Sequence, residues 1–157
     1  MDLAFADTII TLRVDNFVSV TQGVMVTSGA SPDVVSALTL PHARVTRISN
    51  HAFEVKGGTS DGNPLSVRIE ILPREQFDAV GLFIRKLSNV PVVGIDWDDY
   101  RVGNSNYSNA VTVRDRCVVS GGVPVTYEVY LVIKRKAAGA GFPLGDLGLI
   151  DPKISNL

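Results

Sequence analysis

The densest set of chemistry-bearing side chains in this sequence is Ile95-Asp96-Trp97-Asp98-Asp99-Tyr100. Three carboxylates within four residues are the oxygen ligands a hard cation takes. The spacing departs from the calcium loop D-x-[DN]-x-[DN]-G, because Tyr100 stands at the third ligand position and no glutamate follows at the required distance. The same loop offers a second chemistry. Trp97 and Tyr100 beside carboxylates, with Tyr107 farther on, are the side chains that stack on a sugar and bond its hydroxyls. The reading preferred here is plainer: a solvated loop with one aromatic tucked into the core. Asp96, Trp97, Asp98, Asp99 and Tyr100 remain the ligand-loop candidates.

The other reactive residues do not assemble into a motif. His42 and His51 are the only histidines and Cys117 the only cysteine. His42 follows Pro41 and His51 follows Ser49-Asn50, which are surface or turn settings. Cys117 sits in an alternating run, as a small buried apolar residue does, and a lone cysteine forms no intrachain disulfide. Gly139-Ala140-Gly141-Phe142-Pro143-Leu144-Gly145 resembles a dinucleotide fingerprint only in its glycines. A fingerprint opens a helix toward pyrophosphate, and Pro143 with no helical period behind it denies that. No G-x-S-x-G, P-loop, H-E-x-x-H or paired-cysteine motif occurs. Asn106-Tyr107-Ser108 matches a glycosylation acceptor, but MDLAFADTII has acidic residues where a signal peptide has basic ones, so no secretory route is expected, and GNSNYSN reads as a loop. The expectation is therefore no catalytic residue, no metal, no cofactor, and a chain that folds in a reducing cytoplasm.

Composition points the same way. The chain has 157 residues, 45% hydrophobic and 20% charged, with a net charge of −1. Its mean hydropathy is +0.20. No stretch approaches the ~20 apolar residues of a membrane helix, so the apolar surplus must go into a core or a protein interface. The charge balance argues against binding nucleic acid through its phosphates. Lys134, Arg135 and Lys136, near Arg114 and Arg116, lack the interleaved aromatics of a nucleic-acid groove and read as a charged rim.

The elements that must position these residues are mostly strands. Ile10, Leu12 and Val14 alternate with Thr11 and Arg13, and Val18–Thr27 alternates likewise. Residues 43–49 are short and mixed. Phe53 and Val55 lead through GGTSDGN to Leu65, Val67, Ile69 and Ile71, which predicts a hairpin with a long tip. Val111–Val119 meets Ser120-Gly121-Gly122 and then Val125, Tyr127, Val129, Leu131 and Ile133, which predicts a second hairpin with a tight glycine turn. That last strand, about a dozen residues or ~40 Å at ~3.3 Å each, is longer than a small barrel uses. It is expected to bend or to protrude as an edge open to another chain.

One window breaks the alternation. In Pro73–Ser88, Phe77, Val80, Ile84 and Leu87 are spaced by three and four, the helical period. Pro73 suits a first helical position, Arg85 and Lys86 suit the last turn, and Asn89 and Pro91 end it. The spacing predicts a helix over 74–88. The expected fold is thus mainly β, an antiparallel barrel or sandwich over residues 1–136 with one flanking helix. Residues 137–157 form an apolar, irregular C-terminal arm. Phe142, Leu144, Leu147, Leu149, Ile150, Ile154 and Leu157 make that arm too hydrophobic to float, which marks them as subunit-interface candidates.

In this style of chain, and in its closing residues GDLGLIDPKISNL (Gly145 to Leu157), the sequence resembles the tail-tube and baseplate proteins of tailed bacteriophages. The resemblance implies a β-barrel or sandwich with a flanking helix and a structural, non-enzymatic role. It also implies manufacture in the host cytoplasm and residence in the virion, with copies of itself or other virion proteins as partners. It carries no catalytic residue. A rival from another class is a carbohydrate-binding β-sandwich using the Trp97/Tyr100 loop. A third is a small hydrolase, which has no motif to support it.

Overall fold

A computed structural model describes residues 7–17, 29–30, 45–49, 52–55, 64–88, 97–104, 106–116, 123, 125–136 and 147–156. They form eleven strands: β1 (Thr8–Asn16), β2 (Gly29–Ala30), β3 (Val45–Ser49), β4 (Ala52–Val55), β5 (Leu65–Leu72), β6 (Phe77–Lys86), β7 (Trp97–Val102), β8 (Ala110–Asp115), β9 (Val125–Arg135), β10 (Leu147–Ile150) and β11 (Lys153–Asn156). One sheet runs β2-β1-β5-β8-β7. The other runs β10-β9-β11-β4-β3, with β6 on β9. The fold is mainly β, as the alternation predicts. The expectation of purely antiparallel pairing is corrected: β1 runs parallel to β5 and β11 parallel to β4. Among the described residues both sheets are mixed and open, and no barrel closes.

The two sheets share one core. From the first come Ile10, Leu12, Val67, Ile69, Ile71, Val111 and Val113; from the second, Phe53, Val55, Val129, Leu131, Ile133, Ile150 and Ile154. Each set recurs every second residue, so period-two patterning sends one face of each strand inward. Burying that face supplies the main driving force for folding, at ~25 cal/mol per Å² of apolar surface.

Both predicted hairpins are corrected by this arrangement. β4 pairs with β3 and β11 while β5 pairs with β1 and β8, so the two strands lie in opposite sheets. β8 pairs with β5 and β7 while β9 pairs with β6, β10 and β11, and they too are separated. Alternation announces a strand but not its neighbour, and a connection that crosses the core looks the same in sequence as a hairpin. The two loops themselves, and the strand expected over 18–27, lie outside the described residues.

The predicted helix is also corrected. Among the described residues there is no helix. Residues 73–76 form a turn closed by Gln76 N–H donating to the Pro73 carbonyl at 3.1 Å, and residues 77–86 form β6. The reason is a bulge. The register of β6 against β9 shifts between Ala79 and Gly81, so Phe77 and Ala79 face the core and, one phase later, so do Leu82 and Ile84. An extra residue inside an alternating strand turns a spacing of two into three and mimics the helical period. Phe77 and Ile84 are inward while Val80 and Leu87 are exposed, so the presumed stripe is split between two faces. Gly81 fits the bulge because a Cβ there would stand 3.2 Å from the Val132 side chain.

β9 is not an open edge. β6 covers one edge over most of its length, while β11 and β10 share the other. β10 and β11 keep one register against β9, so residues 147–156 are a single strand interrupted at Pro152, which has no N–H to donate. The ladder closes even there, for Val129 N–H donates to the Pro152 carbonyl at 2.9 Å.

Candidate interaction face

The register dictates which side chains share the outer face of the second sheet. Across β6, β9 and the terminal strand the rows are Asp78-Lys134-Leu147, Gly81-Val132-Leu149, Phe83-Tyr130, Arg85-Glu128-Lys153, and finally Thr126-Ser155. Phe83 stacks on Tyr130 with ring centroids 4.5 Å apart and planes 13° from parallel. The Tyr130 hydroxyl donates to Glu128 Oε2. Arg85 Nη2 donates to the same oxygen at 2.6 Å, and Lys153 Nζ lies 3.8 Å from Oε1. Thr126 and Ser155 share a hydrogen bond of 2.9 Å.

Glu128 is buried on this face, and its charge is met from three sides. The Tyr130 hydrogen bond is the largest influence and holds its carboxyl below the ordinary glutamate range; Arg85 and Lys153 act in the same direction, against burial. The Tyr130 phenol is pushed up, first by its bond to Glu128 and then by burial. A carboxylate in that state fixes its neighbours and is not poised as a general base near neutrality.

Beside this polar row stand several exposed apolar side chains. Val80, Phe83, Leu87 and Leu147 are 46, 43, 39 and 44% exposed. Among the described residues β6 has no strand on its outer edge. At its start the edge is closed, for Ala79 N–H donates to the Ser108 carbonyl at 2.8 Å. Gly103 makes that approach possible: its φ is +46°, and a Cβ would lie 2.7 Å from the Ala79 carbonyl oxygen. The shallow cleft beside it, about 400 Å³, is lined by Asp78, Val80, Asn104 and Ser108 among others. Lys136 leans over it, 3.1 Å from Asp78 and 3.5 Å from Ser108 Oγ.

The residues singled out from sequence fall as follows. Trp97 begins β7, half-buried against the core, its ring edge-on to Tyr127 at 5.5 Å. It is the tucked aromatic and not an open platform. Asp98, Asp99 and Tyr100 are strand residues of β7, and Asp96 lies outside the described residues. Tyr107 carries the Arg68 guanidinium over its ring at 3.9 Å. Among the described residues no three His, Cys, Asp or Glu side chains are grouped to hold a metal. His42, His51 and Cys117 lie outside them, as do Phe142, Leu144 and Leu157. Leu149, Ile150 and Ile154 are buried within their own chain, and Leu147 is exposed. The boundary drawn at 136/137 therefore does not set residues 147–156 apart: they complete the second sheet. What sequence reasoning missed is the meeting of Phe83 and Arg85 with Tyr130 and Glu128. The alternation of Glu128 and Tyr130 was visible, but their partner strand was hidden by the bulge. Comparison with protein-family models, curated proteins and solved structures gives no match.

Proposed function

We propose that this chain is a non-enzymatic structural subunit of an oligomeric assembly, with a place in the tail or baseplate of a phage-like particle. The observation that carries the assembly reading is that, among the described residues, no strand pairs with the outer side of β6, beside the exposed Val80, Phe83 and Leu87. Unpaired strand edges template pairing with another chain unless charge, proline or a cover blunts them. A mainly β chain whose closing residues resemble those of phage virion proteins supports the tail or baseplate setting. Of the C-terminal candidates, Leu147 is exposed, and Phe142, Leu144 and Leu157 lie outside the described residues. Ile150 and Ile154 are occupied in their own core, so the contact surface we propose is the outer side of β6, with the exposed Leu147 across β9 on the same face. The sugar-binding alternative is less favoured here, because Trp97 is half-buried against the core and packs edge-on to Tyr127. Multi-angle light scattering on the full chain tests the reading. Mass above the monomer that rises with concentration is expected, and a monomer at every concentration contradicts it.

A further inference from the structure

The geometry points to a second kind of site: the cleft beside Gly103 binds a neutral hexose. Its walls come from both sheets. Asp78 and Val80 belong to β6, Val102 ends β7, and Asn104 and Ser108 lie between β7 and β8. At about 400 Å³ it falls within the ~300–1,000 Å³ of small-ligand sites. The walls are fixed by the chain's own bonds. Ala79 N–H donates to the Ser108 carbonyl at 2.8 Å, Lys136 N–H to the Gln76 carbonyl at 2.8 Å, and Arg74 Nη2 to the Asn106 carbonyl at 2.6 Å. Groups already held in place lose little freedom when a ligand arrives.

Charge selects the ligand class first. Lys136 Nζ stands 3.1 Å from Asp78 Oδ1 and donates to Ser108 Oγ at 3.5 Å, so a cation and a carboxylate sit side by side at the cleft. An anion entering it meets Asp78, and a cation meets Lys136; a neutral ligand meets no like charge. Hydrogen bonding then narrows the class. A carboxylate only accepts, an ammonium only donates, and a hydroxyl does both. Asn104 Oδ1 accepts the N–H groups of Asn106 and Tyr107, each at 2.9 Å, so Asn104 presents its amide NH2 as a donor. Ser108 serves either way. Neighbouring hydroxyls of a sugar, each both donor and acceptor, match this mixed set. Val80, which is exposed, and Val102 supply aliphatic contact for the C–H groups of the ring. The site is separate from the Trp97 loop, because Trp97 and Val102 are the two ends of β7, ~16 Å apart at ~3.3 Å per residue. It goes beyond the assembly reading and does not depend on it.

Amide chemical-shift titration of the full chain with glucose, galactose, mannose and N-acetylglucosamine tests this, beside glycine as a small zwitterion. At least one sugar is expected to shift the amides of Val80, Asn104 and Ser108 saturably. Emission from Trp97, the only tryptophan, is expected to stay unchanged. Asp78→Ala and Lys136→Met replace side chains that are each one-third exposed, so the core stays in place. Each removes a charged hydrogen-bonding group and should weaken binding about tenfold or more, with amides away from the cleft unmoved. No shift at these three amides with any of the four sugars overturns the site. Glycine binding there more tightly than every sugar overturns the neutral class. Sugar that quenches Trp97 without moving the cleft amides, or that binds the wild type and both variants alike, overturns the location. Light scattering on the same samples reports assembly separately, so failure of the sugar site and failure of the assembly reading are distinct results.

Discussion

Tyr130 holds the outer face of the second sheet together through one hydroxyl. It donates to Glu128, which also receives Arg85, and its ring supports Phe83. A hydrogen bond to a buried charged group contributes about 1.5–3 kcal/mol, so Tyr130→Phe should lower stability by that amount at neutral pH. The pH dependence follows from Glu128. Its carboxyl is depressed in the folded chain, so its contribution is present above the ordinary glutamate range and is lost as pH falls through the lower native value. Because Tyr130 is the largest cause, Tyr130→Phe should bring acid unfolding to a higher pH. Denaturant melts across the acid range check both, and an unmoved acid transition would contradict the assignment. Gly103 is the second residue on which local geometry depends. With positive φ and no room for a Cβ beside Ala79, Gly103→Ala should cost more than about 1 kcal/mol, seen as a lower denaturation midpoint with unchanged slope.

The element that most changes the picture is the terminal strand, which lies between β9 and β4. Ile154 is fully buried there, and Ile154→Ala should cost about 2–5 kcal/mol. Leu147, exposed on the same strand, should cost within about 0.5 kcal/mol when changed to Ala. Equal losses at the two positions would deny that the strand is docked as described. Deleting residues 147–157 should leave the chain unfolded by circular dichroism, because β4 and β9 would lose the strand between them. The sequence of this segment, with Gly148 and Pro152 breaking the alternation, concealed a strand as the β6 bulge concealed another. Where alternation was unbroken, in β1, β5, β8 and β9, strands and inward faces were legible from residues such as Ile69, Val113 and Leu131. Pairing was not legible, because two consecutive alternating runs carry no sign of whether they join one sheet or cross between two. The candidate face was half legible for that reason. Glu128 and Tyr130 could be assigned a common face from spacing alone, while Phe83 and Arg85 could not be placed beside them until the bulge was known.

At the scale of the whole molecule, two mixed sheets bury one core and leave the β6 edge as the described surface most suited to another strand. Arg85 and Lys86 blunt one end of it, and the 103–108 loop covers the other. Between them Leu82 and Ile84 turn backbone groups outward in the described fold. Assembly at this edge should make their amides respond to protein concentration, while amides of Gly81, Phe83 and Arg85, already aimed at β9, should not. Residue-resolved hydrogen exchange on the full chain over a range of concentrations measures this directly. Protection at Leu82 and Ile84 that grows with concentration, against constant protection at the three alternating neighbours, is the expected result. Exchange at Leu82 and Ile84 that is independent of concentration in an assembled sample would contradict assembly through this edge.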